Sequence, residues 1–412
     1  MSSGADDRKG AGEAGRRGPG VRSDCWVRFT PAGSGGIDVT LESKVEPMYG
    51  ESIRQLARAA AAGLNVEHGR IEIEDAGALP FVLMARIEAA LRRARGALRE
   101  ADHPSYLPPL EPHARYPTTR DRFRRSRLYM PGNEPKFMLN AGLHKPDGVI
   151  LDLEDSVALS VKDEARLLVR NALRSVDFCG AERMVRINQG ERGLEDLEFV
   201  IPHNVHVILV PKVEDPEQVR RVERRIGEIL ARHHIDQTVY LMPIIESALG
   251  AIRAYEIATA GETICALTIG LEDYTADIGA QRTAEGRESF WARSQVVNAA
   301  RAAGVQPIDT VFSDIADMEG LRRAVLEAKG LGFDGKGCIH PRQIRVIHEA
   351  FAPAPAELEK ARRIVEAFED AQARGLAAVS LGSKMIDPPV VKRAQRIVAL
   401  AEAMADEAPP AR

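Results

Sequence analysis

The chain has 412 residues, 44% of them hydrophobic and 28% charged, which is the composition of an ordinary globular protein with room for two or three domains. A formal net charge of −4 excludes the basic surface of a nucleic-acid-binding protein, and no apolar run approaches the roughly 20 residues needed to span a membrane. The four cysteines lie far apart without the spacing of a metal site, so we expect reduced thiols and a cytoplasmic location.

The first part of the chain combines a polar tail with a small α+β unit. Residues 1–22 are rich in glycine and arginine and contain no apolar segment, so we expect a disordered tail. Apolar patterns then predict a compact unit over residues 23–98, with strands at 23–29, 36–41 and 70–74 and helices at 49–62 and 81–98. Residues 99–121 are rich in proline, which predicts a stiff linker with few contacts.

Between residues 122 and 350 the pattern changes to short apolar runs that alternate with amphipathic helical stretches. The runs cover residues 127–130, 149–153, 184–187, 205–210, 239–245, 267–270, 308–312 and 337–339. Alternation of strand and helix indicates a parallel sheet, and about eight units of this size predict a closed (β/α)₈ TIM barrel. The alternative is an open doubly wound sheet, but no glycine-rich dinucleotide fingerprint follows the first strand.

Nearly every predicted strand of the barrel ends in polar or charged residues. These are Asp152, Glu154, Asp155, Arg186, Asn188, Lys212, Glu214, Glu246, Glu272, Asp273, Asp314 and His340. A TIM barrel collects its active-site residues at the carboxyl ends of its strands. The recurrence therefore predicts an active site at that face.

Two neighbouring runs, 238–246 and 266–273, predict a divalent-cation site. The first run ends at Glu246, and the second ends at Glu272 and Asp273. Mg²⁺ prefers one or two carboxylates and keeps open positions for substrate oxygens. The same acids could instead cap or charge the first turns of the helices that follow, and both interpretations stay open on these residues alone.

The last part of the chain, residues 351–412, predicts a helical tail. Its pattern is interrupted over residues 375–387, and Pro388 and Pro389 then begin a final helix, since proline is tolerated in a first helical turn. The tail is too short to fold alone. We therefore expect it to pack on the barrel as a lid or on a neighbouring subunit.

Residues 125–400 resemble the citrate lyase beta subunit family, within the HpcH/HpaI aldolase superfamily. The resemblance is carried by RSRLYMPGNEPKFM, GVILDLEDSV, MVRIN, ILVPKVED, MPIIES, LTIGLEDYTADIG, GFDGKGCIHPRQI and GSKMIDPP, which occur in family order. Residues 23–98 resemble the acyl carrier (gamma) subunit of citrate lyase through SDCWVRF, GGIDVTLES, YGESIRQL and IEIEDAGALPFVLMARIEAAL. The chain thus resembles a carrier-like domain fused to a lyase barrel.

The resemblance implies a Mg²⁺-dependent carbon–carbon lyase, with Mn²⁺ as a possible substitute. The family cleaves a 3-hydroxyacyl thioester that has a carboxylate beside the hydroxyl, and it releases a 2-oxo acid and an acetyl or related thioester. By resemblance, Glu246 and Asp273 hold the metal and Arg186 binds the substrate carboxylate. Asp387 of the MID motif exchanges the proton at C2. An arginine at a strand end can also be a structural ion pair, and an aspartate before Pro-Pro can be a helix N-cap.

Other roles implied by the resemblance complete the predicted site. Glu154 and Asp155 would bind metal-bound waters, while Arg127 and Lys336 would meet the substrate or the phosphates of a coenzyme A arm. Asp387 would reach the site of an adjacent subunit, which implies a homo-oligomer, a trimer or hexamer.

The carrier-like domain departs from its family at the attachment site. The carrier family places its prosthetic group on the first of two serines before an aspartate, and here that position is Arg22, so only Ser23 remains. We expect an unloaded domain and a substrate of the citramalyl-CoA or malyl-CoA type. The alternatives are a citrate lyase beta component that acts on citryl bound to its own carrier domain beside an alpha-like transferase, an aldolase on free 2-oxo acids, and a scaffold without catalysis.

Overall fold

The computed structural model describes residues 10–99, 105–373, 379–381, 384–386 and 388–406. They form a small α+β unit, a closed barrel and a C-terminal helical hairpin. Asp387 and residues 1–9 of the predicted tail lie outside the described residues.

The N-terminal unit is a four-stranded sheet with two helices. Its elements are β1 (Gly12–Gly15), β2 (Cys25–Pro31), β3 (Ile37–Ser43), α1 (Glu46–Gly63), β4 (Gly69–Asp75) and α2 (Pro80–Ala94). The sheet order is β1-β2-β4-β3, with β3 parallel to β4 and the other pairs antiparallel. The predicted three strands and two helices over residues 23–98 are confirmed.

The expectation of a disordered tail over residues 1–22 is wrong for β1. This segment pairs along β2 as an antiparallel edge strand. It also passes very close to α2, since a Cβ at Gly12 would lie 2.1 Å from the carbonyl oxygen of Ala90. The glycine content that predicts disorder therefore serves a close approach between a strand and a helix.

The proline-rich segment lies against the barrel. The backbone N–H of Glu111 donates to the carbonyl of Arg174 at 2.9 Å, and the hydroxyl of Tyr116 donates to the carbonyl of Ala181 at 2.6 Å. The expectation of few contacts is wrong, because the main chain and the tyrosine supply hydrogen-bonding groups that proline content does not reveal.

Residues 126–338 contain a closed barrel of eight parallel strands, as predicted. The strands are β5 (Ser126–Pro131), β6 (Gly148–Asp152), β7 (Glu182–Arg186), β8 (Val207–Val210), β9 (Tyr240–Ile245), β10 (Ala266–Ile269), β11 (Gln306–Asp309) and β12 (Gly335–Cys338). Each strand pairs in parallel with the next, and β12 pairs with β5. Closure excludes the alternative of an open doubly wound sheet, which would leave two unpaired edges.

Helices surround the barrel on its outside. They are α3 (Pro135–Met138), α4 (Lys162–Ser175), α5 (Gly190–Val200), α6 (Pro216–Arg232), α7 (Ala248–Ile252), α8 (Ala254–Ala258), α9 (Leu271–Asp277), α10 (Phe290–Ala303), α11 (Met318–Leu331) and α12 (Pro341–Phe351). The interior is filled by Ile150, Met184, Val207, Leu209, Met242, Ile244, Cys265, Ala266 and Ile308. A barrel packed in this way is a core and not a pore, so the space for a ligand lies at its mouth.

A buried charge network holds the N-terminal unit on the barrel, where α2 lies against α4. The guanidinium of Arg86 is 1% exposed and donates from Nε to Oδ1 of Asp24 at 2.9 Å and from Nη1 to Oε1 of Glu164 at 3.2 Å. A second network lies nearby, where Arg170 of α4 donates two hydrogen bonds to Glu88 of α2. Because removing one partner of a buried pair leaves an uncompensated charge, these contacts fix the unit in place.

The C-terminal part has two long helices, as the sequence predicts, and two short antiparallel strands between them. Its elements are α13 (Pro355–Ala373), β13 (Val379–Leu381), β14 (Lys384–Ile386) and α14 (Pro388–Asp406). The helices share a small apolar cluster of Ala361, Ile364, Val391 and Ala394. Arg396 of α14 pairs with Asp334, which directly precedes β12. The hairpin therefore meets its own barrel at the amino-terminal end of the strands.

Three of the four cysteines are buried core residues, as the sequence predicts. All four are free, and Cys25, Cys265 and Cys338 are buried while Cys179 is exposed. Burial raises the pKa of the Cys265 and Cys338 thiols to about 12, so these side chains act as small core residues. Among the described residues, no helix has the length and apolar character needed to cross a membrane.

The network around Arg86 predicts a large loss of stability when the cation is removed. Arg86→Met should lower the free energy of unfolding by about 3–5 kcal/mol, because Asp24 and Glu164 would stay buried without their partner. Urea denaturation followed by Trp26 fluorescence measures this loss. Arg58→Met is the matched control, since Arg58 and Glu51 form an exposed pair at 3.9 Å that should contribute less than about 1 kcal/mol. Equal losses in the two variants would contradict the prediction.

Candidate active site

The candidate active site is a cavity of about 220 Å³ at the carboxyl-end mouth of the barrel. The polar residues that line it are Arg127, Asp152, Ser156, Arg186, Glu246, Thr268, Glu272, Asp273, Asp309 and Thr310. They come from the ends of several different strands and from α9. This is the face where a TIM barrel carries its chemistry.

Arg186, the last residue of β7, binds Asp152, the last residue of β6. Nε and Nη2 of Arg186 each donate to a carboxylate oxygen of Asp152 at 2.7 Å. Burial alone would raise the pKa of Asp152, but the hydrogen bonds and charge of Arg186 outweigh it and hold that pKa below its usual range. Nη1 lies 2.8 Å from Oε2 of Glu154 without the alignment of a hydrogen bond. The guanidinium is thus both a structural ion pair and part of the cavity wall.

Glu246 directly follows β9 and is only 5% exposed. Its Oε2 accepts a hydrogen bond from the backbone N–H of Lys212 at 2.9 Å. Burial, and then the negative charge of Glu154, raise the pKa of Glu246 to about 7. Gly270 leaves space for this carboxylate, because a Cβ there would lie 2.5 Å from Oε1. The acid therefore sits in a narrow slot beside the end of β10.

Asp273 lies in the first turn of α9 and lines the same cavity as Glu246. Nζ of Lys212 lies 3.2 Å from Oδ1 of Asp273, 3.4 Å from Oδ2 of Asp155 and 3.6 Å from Oε1 of Glu154. Burial opposes the charge on Lys212, but these carboxylates outweigh it and raise the pKa of the ammonium. A positive charge therefore lies among three acids at the mouth.

Glu154 and Asp155 are adjacent in sequence but differ in environment. Glu154 is 2% exposed, and burial raises its pKa. Nε2 of Gln189 donates to its Oε1 at 2.8 Å. The side chain of Asp155 is 54% exposed. Glu154 is thus a fixed part of the wall, whereas Asp155 faces the solvent at the rim.

Arg127 lies deeper in the barrel, at the floor of the cavity. It is 1% exposed, its Nη atoms donate to Sδ of Met242 at 3.0 Å and to Oγ1 of Thr268 at 3.2 Å, and its Nε has no hydrogen-bond partner among the described residues. Burial lowers its pKa from the usual value. Such a buried cation suits an anionic substrate group inside the mouth and not a phosphate at the surface.

Lys336, for which the resemblance implies contact with the substrate or with coenzyme A phosphates, is bound to an acid in the structure. Its side chain is 3% exposed, and Nζ donates to Oδ2 of Asp309 at 2.6 Å. Arg293 donates to the same carboxylate. The ammonium therefore balances the charge of Asp309, and contact of Lys336 with substrate or coenzyme A stays a prediction.

Some of the strand-end residues cap or begin the helices that follow, as the alternative interpretation predicts, and others do not. The side chain of His340 caps α12, whereas Asp314 accepts the backbone N–H of Ala316 at 2.9 Å in a turn before α11, whose N-cap is Asp317. The cap of α7 is Ser247, so Glu246 is not an N-cap. Asp273 is in a first helical turn and also faces the cavity.

Three residues of this site have no role in the sequence prediction. Asp152 ends its strand and Lys212 follows one, so the sequence indicates only that both lie near strand ends. Their partners depend on which strands are neighbours in the barrel. Gly270 gives no sequence signal, since its role is to leave space for Glu246.

Ser23 lies in a constrained turn of the N-terminal unit. Its φ is +57°, and its backbone N–H donates to the carbonyl of Ala76 at 3.0 Å. The next residue, Asp24, is 2% exposed and bound by Arg86. Arg86 also donates to the carbonyl of Asn133 at 3.1 Å, in the loop after β5. The turn is therefore anchored beside the carboxyl end of the barrel.

A closed barrel with acids and cations gathered at its carboxyl-end mouth defines a TIM-barrel enzyme. Residues 125–341 match the family described as HpcH/HpaI aldolase/citrate lyase, and the chain belongs to this family of carbon–carbon lyases. Residues 18–94 match an acyl carrier family described as malonate decarboxylase delta subunit (MdcD). The predicted fusion of a carrier-like domain with a lyase barrel is thus confirmed.

Named relatives act on different substrates. The chain is 38% identical over 292 residues to citrate lyase subunit beta of Leuconostoc mesenteroides subsp. cremoris, covering 69% of this chain and 95% of that protein. It is 35% identical over 299 residues to mitochondrial citramalyl-CoA lyase of Mus musculus, covering 69% and 88%. It is 31% identical over 303 residues to L-malyl-CoA/beta-methylmalyl-CoA lyase of Rhodobacter capsulatus, covering 68% and 95%.

Solved structures agree with the fold. Protein CitE of Mycobacterium tuberculosis in complex with magnesium, acetoacetate and coenzyme A is 30% identical, with a TM-score of 0.57, and the match covers 69% of this chain and 100% of that chain. The same protein with magnesium and pyruvate is 29% identical, with a TM-score of 0.52, and the match covers 68% and 100%.

The raised pKa of Glu246 predicts a pH-dependent stability of the metal-free protein. A carboxyl group with a pKa of about 7 when folded and about 4.3 when unfolded binds more protons in the folded state. The contribution of Glu246 to the free energy of unfolding is therefore fully present below the pKa of the unfolded state, and it is lost as the pH rises through the pKa of the folded state.

Glu246→Gln removes this titration without removing volume. Relative to the wild type, the variant should gain stability as the pH rises, by on the order of 1–3 kcal/mol between pH about 5 and about 8. Thermal unfolding with a chelator present measures the difference. Parallel pH profiles of the two proteins would show that Glu246 does not titrate in this range.

Proposed function

We propose that this protein is a Mg²⁺-dependent lyase that cleaves a 3-hydroxy-3-carboxyacyl-CoA of the citramalyl-CoA or malyl-CoA type. The observation that carries the proposal is the convergence of Glu246, Asp273 and Arg186 on one cavity at the carboxyl-end mouth. The named relatives include citramalyl-CoA and malyl-CoA lyases. The 2-oxo acid product is left to experiment, because one methylene in a pocket changes specificity by only about 1–3 kcal/mol.

The residues at the mouth fit a magnesium ion. Glu246 and Asp273 supply oxygen donors from the ends of neighbouring strands, and the ammonium group of Lys212 already lies 3.2 Å from Asp273. An all-oxygen donor set with few carboxylates suits Mg²⁺. When bound, the metal supplies Lewis-acid polarisation of the substrate oxygens. Glu154 and Asp155 would orient water molecules around it.

The remaining roles fall to the residues of the chain itself. Arg186 would hold the substrate carboxylate, since Asp152 fixes the plane of its guanidinium. Arg127 would meet a second anionic group at the floor. In the reaction the hydroxyl proton passes to solvent water, the C2–C3 bond breaks with its electron pair left on C2, and C3 becomes the ketone carbon of the 2-oxo acid. C2 then takes a proton to form the acyl-CoA, and we assign that proton exchange to Asp387.

A substrate panel tests this proposal. Thioesters of coenzyme A with (3-hydroxy-3-carboxy)acyl groups should release pyruvate or glyoxylate in the presence of Mg²⁺ or Mn²⁺, and a chelator should abolish the release. Glu246→Ala and Asp273→Ala should each lose metal binding in calorimetric titrations, because each removes a ligand. Lys136→Met is a control on the same face, with an exposed side chain. Full activity in chelator would reject the metal-dependent mechanism.

The second candidate is a citrate lyase beta component that acts on citryl bound to Ser23, favoured by the 38% identity to such a subunit. Two observations favour free acyl-CoA instead. Arg22 replaces the first serine of the carrier pattern, and Asp24 beside Ser23 is buried in the network of Arg86. A carrier domain has to move between more than one active site, whereas the turn that contains Ser23 is anchored to the barrel. With free acyl-CoA, no alpha-like transferase partner is required.

Ser23→Ala separates the two candidates. The variant should retain wild-type activity with free acyl-CoA, because no covalent arm is involved, and steady-state kinetics measure this. The intact mass of protein from the native host should show no phosphopantetheine-sized increment. Loss of all activity in the variant, or such an increment on Ser23, would favour carrier-bound citryl.

We also propose that the enzyme is a homo-oligomer, a trimer or hexamer with shared active sites. The support is the position of the C-terminal hairpin. Arg396 of α14 pairs with Asp334 at the amino-terminal end of its own barrel, whereas the acids of the site lie at the carboxyl end. Asp387 lies outside the described residues, and its contribution to the site of another subunit is proposed from the family resemblance.

Mixing two inactive variants tests this arrangement. Arg186→Ala should be inactive because the substrate carboxylate loses its cation, and Asp387→Ala should be inactive because C2 loses its proton partner. Co-expression should partly restore acyl-CoA cleavage, since some interfaces then combine an intact barrel with an intact tail. Each homogeneous variant is the control. Verified mixed oligomers without activity would show that each tail serves its own barrel.

A further inference from the structure

We propose that the ammonium group of Lys212 is a tethered cation that occupies the divalent-metal site of the metal-free protein and is displaced when the metal binds. This inference rests on the proposed function only in taking Glu246 and Asp273 as the metal ligands. It assigns Lys212 a role in controlling metal affinity.

Lys212 contacts both proposed ligands through different atoms. Its backbone N–H donates to Oε2 of Glu246 at 2.9 Å, and its Nζ lies 3.2 Å from Oδ1 of Asp273. The residue lies just after β8, between the strand ends that carry Glu154 and Glu246. The ammonium therefore lies beside one of the two proposed ligands, while the backbone of the same residue binds the other.

The negative charges around Lys212 exceed its single positive charge. Three carboxylates, those of Glu154, Asp155 and Asp273, lie within 3.6 Å of its Nζ. Arg186 is already engaged with Asp152 and Glu154. One ammonium thus serves several acids, and a divalent ion neutralises such a set better than a monovalent one.

The two cations compete for the same oxygen. A metal bound to Oδ1 of Asp273 would repel an ammonium 3.2 Å from that atom, so the side chain of Lys212 has to withdraw. Asp155 provides a place for it, because that carboxylate lies 3.4 Å from Nζ and its side chain is 54% exposed.

The backbone of Lys212 lets the head group move without disturbing Glu246. Its φ is +50°, and the backbone N–H stays bonded to Glu246 whatever the side chain does. The side chain is 30% exposed, and a four-carbon stem has the freedom to swing. Before the metal arrives, the site therefore keeps its shape and a partly neutralised charge, at the expense of metal affinity.

Metal titration of substituted proteins tests the sign of this effect. In substrate-free protein, Lys212→Met should bind Mn²⁺ about tenfold more tightly than wild type, equivalent to about 1.4 kcal/mol, because the competing cation is gone. Lys212→Arg keeps the charge and should bind close to wild type. Lys136→Met removes an exposed lysine on the same face and should change nothing. A purely structural Lys212 predicts weaker binding by Lys212→Met, and that result, or unchanged binding, would overturn the proposal.

A second measurement uses the wild-type protein. Mg²⁺ should increase the rate of reductive methylation of Lys212 severalfold, as read by peptide mass spectrometry, because the displaced amine leaves Asp273 and Glu154 for the exposed rim beside Asp155. A rate that is unchanged or lower with Mg²⁺ would overturn the displacement. Wild-type protein that binds no metal would instead reject the metal site itself, so the two failures are distinguishable.

Discussion

The structure of the mouth depends on electrostatic balance among acids in a small space. Asp152, Glu154, Asp155, Glu246 and Asp273 converge there, and only two described cations, Arg186 and Lys212, lie within ion-pair distance of them. The raised pKa values of Glu154 and Glu246 record the unfavourable burial of this charge. Two cations beside five acids favour a further positive charge, and this imbalance supports the proposal that a divalent metal binds here.

The barrel brings these groups together through strand register. Asp152 and Arg186 are paired positions at the ends of β6 and β7, so their side chains meet without help from loops. Glu246 and Asp273 follow β9 and β10, whose last residues, Ile245 and Ile269, are also paired. Placing reactive groups on rigid strand ends limits their motion, which favours the precise geometry that catalysis requires.

The two additional segments relate to the barrel at opposite ends. The N-terminal unit is fixed beside the carboxyl-end face by Arg86, Glu164 and the network around Glu88. The N-terminal unit is therefore held rigidly on the outside of the barrel, against α4. The C-terminal hairpin meets the amino-terminal end through Arg396, opposite to the end that carries the acids of the site.

The sequence by itself determined the order of the elements, because hydrophobic periodicity depends only on neighbouring residues. It predicted the eight strands, the α+β unit and the acids after β6, β9 and β10. Family motifs then pointed to Glu246, Asp273 and Arg186. Only the tertiary structure decided which strand ends face each other, and hence that Arg186 binds Asp152, that Lys336 is engaged with Asp309 and that Lys212 lies among three acids. Such pairings join residues that are distant in the chain, so patterns among neighbouring residues cannot predict them.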